Sequence, residues 1–187
     1  MVFAFHNDTI FVFERAYKSS ASSFGGPLEA EIEGIAHGPK PLHMIARLGG
    51  MHIGALSSHY LTDIPLIYGM CYDACEITYK VVYGHKIEVL KLSPSESSDD
   101  WPYRNFPPLL PYLPLRLSDV PRRENYATFA EAFPNMPGTQ QAELVVAVPP
   151  PATLGVSLWG GGDGDGVTLL FECDLADRVV CATNVTT

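Results

Sequence analysis

Basic residues are scarce in this chain. Lysine and arginine together number 12 against 21 aspartates and glutamates, a formal net charge of −9 over 187 residues. Proteins that hold nucleic acid or an anionic membrane neutralise phosphates with basic side chains, so both partners are disfavoured. The balance suits a basic protein partner, and equally suits plain solubility. Long apolar runs are missing too, since none approaches the ~20 residues that cross a bilayer. The opening MVFAFHNDTIFVFE has no basic start and is interrupted by Asn7 and Asp8. No secretory signal is therefore expected, and the expected location is the cytoplasm. In that setting the glycosylation sequons at Asn7 and Asn184 carry little weight.

Cysteine is limited to Cys71, Cys75, Cys173 and Cys181. Their spacing does not match the repeated CxxC pairs of a zinc ribbon, and buried free thiols are the expectation. Catalytic signatures are also wanting. The segment Gly155-Val156-Ser157-Leu158-Trp159 departs from the GxSxG elbow at Trp159. The six histidines form no HExxH pair. His43 sits in an apolar segment and reads as a hydrogen-bonded core imidazole. His52 and His59 lie too far apart to share a metal directly.

The glycine-rich run 160–166 holds the best metal candidates, Asp163 and Asp165, because two carboxylates in a flexible loop suit Ca²⁺. Read as a calcium-binding loop from Asp163, it fails at Val167 and Thr168. A strand rather than a helix follows, so it is neither a P-loop nor a dinucleotide fingerprint. The plain alternative is a flexible loop between strands. No cofactor is indicated.

Turn formers are abundant, with glycine and proline at 16 each, and such chains run many short strands. Residues 2–5 and 9–13 read as strands around an Asn7-Asp8 turn. Residues 19–27 (SSASSFGGP) read as a loop. Residues 28–35 alternate acidic and apolar side chains, as an edge strand or a solvated helical turn. Residues 41–48 and 65–70 read as buried strands. Residues 77–83 and 86–92 form a hairpin about Gly84-His85.

Residues 93–121 are rich in proline, which removes a donor and fixes φ, so a long ordered connector is expected and a central strand is not. Its aromatics Trp101, Tyr103, Phe106 and Tyr112 are candidates for a partner-binding surface, or for packing inside the connector. In residues 123–133, Tyr126, Phe129, Ala130 and Phe133 share one helical face, and Pro134 ends the helix. Residues 143–148 read as a strand. Residues 154–159 and 167–173 are expected to pair across the glycine run, and 179–182 follow a turn at 174–177.

In order, these segments resemble the YwqG-like family of bacterial proteins of unknown function. Ser20 to Pro27 is similar to its SxxGGxP loop, and Pro41-Leu42-His43-Met44-Ile45-Ala46-Arg47-Leu48 to its PLxFLAQI segment. Trp159, Gly160, Asp163, Gly164, Leu170 and Phe171, then Asp174-Leu175-Ala176, resemble its WGDxGxLYF and DLA motifs with extra glycines. The resemblance implies one compact domain of mostly antiparallel strands, few helices and two similar halves. It implies no activity, cofactor or catalytic residue, and relatives look like accessory or immunity-type proteins.

The expected fold is thus α+β and strand-rich, with mostly antiparallel sheets in two similar halves and one or two short helices. Residues 1–187 form one domain, with a proline-rich connector at about 93–121 joining the halves. The expected function is a non-catalytic protein-binding module, such as an immunity-type protein that occludes a basic toxin. The alternatives are a small-molecule or metal-binding protein or enzyme using loop 160–166, and a structural component of a larger assembly.

Overall fold

The computed structural model describes the chain apart from residues 35–41, 60, 73–74, 83–85, 95–106, 108, 119–120, 134, 160–165 and 187. The elements run in the order β1 (Val2–His6), β2 (Thr9–Arg15), β3 (Ser22–Gly26), β4 (Glu31–Gly34), β5 (His43–Gly49), α1 (Gly54–Ser58) and β6 (Asp63–Tyr68). Then come β7 (Cys75–Val82), β8 (Lys86–Pro94), β9 (Leu110–Leu117), β10 (Arg122–Arg123), α2 (Tyr126–Glu131), β11 (Leu144–Val148), β12 (Val167–Asp174) and β13 (Val179–Thr186). A single 3₁₀ turn, Pro151–Leu154, follows the triple proline.

All the described strands join one sheet in the order β4-β8-β7-β13-β12-β11-β1-β2-β9-β3-β5-β6, with β10 paired beside β2. Its pairs are antiparallel except β4 with β8. The strand-rich, mostly antiparallel expectation is met, with two short helices among the described residues. The order interleaves the chain: β9 sits between β2 and β3, and β11 to β13 sit between β1 and β7. Strands from both sides of the connector therefore share one sheet.

The first hairpin turns where the sequence places it. Asn7 and Asp8 both take left-handed φ, 48° and 52°, the geometry that matches the twist of a two-residue hairpin. β11 (LVVAV) is apolar throughout because it is covered on both faces. Leu144, Val146 and Val148 enter the large core, while Val145 and Ala147 face α2. The helix and the turn that ends it pack Tyr126, Phe129, Ala130 and Phe133 over Phe5, Ile10 and Leu170. Its N-terminus is capped by Asn125, whose Oδ1 accepts from the Thr128 amide at 2.9 Å. The helix is shorter than residues 123–133, because Arg122 and Arg123 pair with Ile10 and Thr9 instead.

Three expectations are corrected. Residues 19–27 are not all loop: Ser22–Gly26 is an interior strand between β9 and β5, fully buried. Its glycines serve close approach. A Cβ on Gly25 would stand 2.3 Å from the Pro111 carbonyl oxygen, and the residue's φ of 62° also favours glycine.

The proline-rich segment does contain an interior strand, β9, despite Pro111 and Pro114. β2 pairs with β9 only at residues 115–117; beyond it the Ala16 amide still donates to the Pro114 carbonyl at 2.8 Å, and neither proline faces a β2 residue that needs its missing donor. On that side the strand tolerates proline as an edge strand does. Residues 154–159 form no strand opposite β12. Trp159 is instead buried in the core, and its indole Nε1–H donates to the Val167 carbonyl at 3.1 Å.

The sheet rolls so that β6, at one end, packs against β7 and β13. This brings the outer edge of β6 against side chains rather than a neighbouring strand. The Tyr79 hydroxyl donates to the Pro65 carbonyl at 2.7 Å and accepts from the Ile67 amide at 3.0 Å. One buried phenol thus satisfies two backbone groups that a further strand would otherwise pair. Tyr68 reinforces the closure, its hydroxyl accepting from the Cys75 amide at 3.1 Å and from Asn184 Nδ2 at 3.0 Å. Burial holds both phenols above their ordinary range. The other end, β4, is short and charged: Glu31 and Glu33 both meet Lys86 on β8. Charge of this kind blunts an exposed edge.

Candidate binding site

The rolled sheet leaves a groove where its two ends approach each other. One part, a cavity of ≈ 490 Å³, is lined by residues of β3, β5, β6, β9 and the link that follows β3. A smaller part of ≈ 150 Å³ continues between β6 and the β7–β8 hairpin. Both parts share Glu29, Met44, Arg47, Thr62 and Asp63, so they form one depression.

Strand register explains the composition of the groove. Side chains alternate across a sheet. Ser23 lies opposite both Arg47 and Pro114, and Arg47 lies opposite Pro65. Tyr112 shares the face of Pro114, and Asp63 that of Pro65. Tyr112, Ser23, Arg47 and Asp63 therefore form a row across β9, β3, β5 and β6 on the face turned away from Leu113 and Phe24, which enter the core.

The charges in the groove are largely matched. Arg47 Nε lies 3.9 Å from Asp63 Oδ1, a diagonal cross-strand pair, and both side chains are partly exposed. Lys86 lies 2.7 Å from Glu33 and 3.3 Å from Glu31, and those pairs raise the lysine and lower Glu33 relative to their ordinary values. Arg178 reaches the His59 carbonyl at 3.5 Å. The groove combines paired ions with the hydroxyls of Ser20, Ser23 and Thr62.

Two other constellations have chemical interest. Ser22 Oγ lies 2.7 Å from His52 Nδ1, the distance between a nucleophile and its base. Ser22 is 0 % exposed, however, and its oxygen also accepts from the Gly49 amide at 2.9 Å. The pair pins β3 to the end of β5 and offers no surface to a substrate. His52 sits edge-on to Phe13, and burial lowers its pKa. No local motif announces this pair, whose members stand thirty residues apart in sequence.

The second constellation is a cavity of ≈ 270 Å³ bordered by Glu143, Glu172, Asp174 and Cys181. Glu143 is engaged by the Leu175 amide at 3.0 Å and Asp174 by the Asp177 amide at 3.0 Å. Burial raises Glu172. Among the described residues no group of three or more His, Cys, Asp or Glu is placed to hold a metal ion.

Of the aromatics expected at a partner surface, Tyr112 is 54 % exposed and lines the groove. Trp101, Tyr103 and Phe106 lie outside the described residues, as do Asp163 and Asp165. His43 is buried, as a core imidazole should be, with Nε2 3.1 Å from the Pro107 carbonyl. None of the four cysteines is in a disulfide; Cys75 and Cys173 are buried, and burial raises Cys75 to about 11. Sequence reading did not single out Ser20, Ser23, Arg47 or Asp63, because they converge only through strand register. Comparison with protein-family models, curated proteins and solved structures finds no match to this chain.

Proposed function

We propose that this chain is a non-catalytic protein-binding module that meets a basic partner across the face carrying Tyr112. The observation that carries the reading is the exposure of Tyr112, at 54 %, on the wall of the groove, with Leu109 three residues before it at 55 %, in a chain of net charge −9. Apolar surface gathered next to a groove, rather than scattered singly, marks a contact site. Complementary charge would speed association with a basic protein. An immunity-type role, in which the module occludes a toxin, fits these features, as does the resemblance to YwqG-like proteins. Four cysteines outside any disulfide suit a reducing compartment, so the cytoplasm is part of the same reading. So is an origin in two similar halves, supported by the likeness of β5 and β11, each an interior strand.

Affinity capture from the native host, followed by reconstitution with the purified partner, tests the proposal. A stoichiometric basic protein should bind more weakly as salt rises, and Tyr112→Ala should weaken it about tenfold, the loss of one well-packed aromatic contact. Failure to recover a stoichiometric partner at physiological salt would overturn it.

A further inference from the structure

We infer that the groove between the ends of the sheet binds a small, neutral, polyhydroxylated molecule of the saccharide class. This goes beyond the protein-partner reading and does not depend on it. Size is the first argument: ≈ 490 Å³ falls in the roughly 300–1,000 Å³ range of small-ligand sites.

Charge is the second. Arg47 is matched by Asp63, and Lys86 by Glu31 and Glu33. An anionic ligand would have to draw Arg47 or Lys86 from its carboxylate, or Arg178 from the His59 carbonyl. A cationic ligand would find Asp63 already taken by Arg47 and only Glu29 left to meet it. A neutral ligand leaves the pairs in place and uses their remaining hydrogen-bonding capacity.

The third argument is the mixture of donors and acceptors. Each sugar hydroxyl both donates and accepts. The groove offers guanidinium N–H groups on Arg47, carboxylate acceptors on Asp63 and Glu29, and hydroxyls that do both on Ser20 and, at 6 % exposure on its floor, Ser23. Last comes Tyr112, whose ring packs against Gly26: a Cβ there would lie 3.0 Å from Tyr112 Cδ2. More than half of Tyr112 stays exposed on the wall of the groove. An aromatic surface beside convergent polar groups matches a pyranose ring, which is apolar on its C–H faces and polar at its rim.

The test is a titration of the purified full chain with neutral disaccharides (maltose, cellobiose and lactose), following amide chemical shifts by NMR. A sugar acid, a hexosamine and a short polar peptide serve as controls. The expected result is saturable shifts clustered on Ser20, Ser23, Arg47 and Asp63 with a neutral sugar and not with the charged controls. Tyr112→Phe should keep the affinity, and Tyr112→Ala should lower it roughly tenfold. Asp63→Ala should lower it about tenfold to a hundredfold, as expected for loss of a hydrogen bond to a charged group. The spectrum of each free variant reports whether it is folded. Because the shifts of the unmodified chain locate the site, a misfolded variant leaves the result readable. Absence of saturable shifts with every neutral sugar, shifts that map elsewhere, or response to the peptide alone would overturn the inference.

Discussion

At the residue scale, the most consequential groups are the buried histidines and tyrosines. Burial is the largest influence on His43, outweighing its bonds to the Pro107 and Tyr68 carbonyls, and lowers its pKa from the ordinary 6.5. His52 is lowered by burial as well. A base with a depressed folded pKa binds fewer protons folded than unfolded, so its stabilisation is complete above pH 6.5 and is lost as pH falls through the folded pKa. The melting temperature should therefore drop on acidification below about pH 6.5. His52→Asn, which keeps an acceptor for Ser22, should flatten part of that slope; an unchanged slope would exclude His52 as a contributor.

Glu172 works with the opposite sign: raised by burial from 4.5, it withdraws stability as pH climbs through its folded pKa. Tyr79 and Tyr68, also raised, act above pH 10. Their ultraviolet ionisation should appear only together with alkaline unfolding. Removing the Tyr79 hydroxyl gives a further test. Tyr79→Phe strands the Pro65 carbonyl and the Ile67 amide in the interior and should cost about 1–3 kcal/mol by denaturant titration.

At the element scale, α2 owes its place to one apolar stripe laid over β1, β2, β11 and β12 rather than to its own propensity, since a helix of six residues is too short to stand alone. Phe129→Ala should cost about 3–5 kcal/mol, measured by chemical unfolding, because Phe129 also stacks on Phe5 at 5.4 Å. Elements of this kind were legible: the 3.6-residue period of α2, the Asn7-Asp8 hairpin and the continuous apolar run of β11 each state their environment locally.

β3 and β9 were not legible. Ser22-Ser23-Phe24-Gly25-Gly26 carries the composition of a loop, and it becomes a strand because Ser22 bonds Gly49 and His52 while Gly25 admits the backbone of Pro111. Pro111 and Pro114 argue against a strand until it is known that β2 stops short of them. The groove was hidden for the same reason, since Tyr112, Ser23, Arg47 and Asp63 meet by cross-strand register and share no linear motif.

At the scale of the whole molecule, segments from both sides of residues 93–121 alternate along one sheet over one large core. Neither side can keep its strand pairing if the other is lost. Thermal unfolding should accordingly be a single transition, with far- and near-ultraviolet circular dichroism coincident; two separated transitions would show that the two sides fold independently. The sheet also ends in two unlike ways, at β4 with carboxylates and at β6 with one phenol. Neither end offers a bare ladder to another molecule, since paired charges guard β4 and the roll of the sheet, with the Tyr79 hydroxyl, occupies the outer edge of β6. The Tyr79 hydroxyl thus guards the molecule against self-association, and light scattering by concentrated Tyr79→Phe protein should rise with time while that of the unmodified chain stays flat.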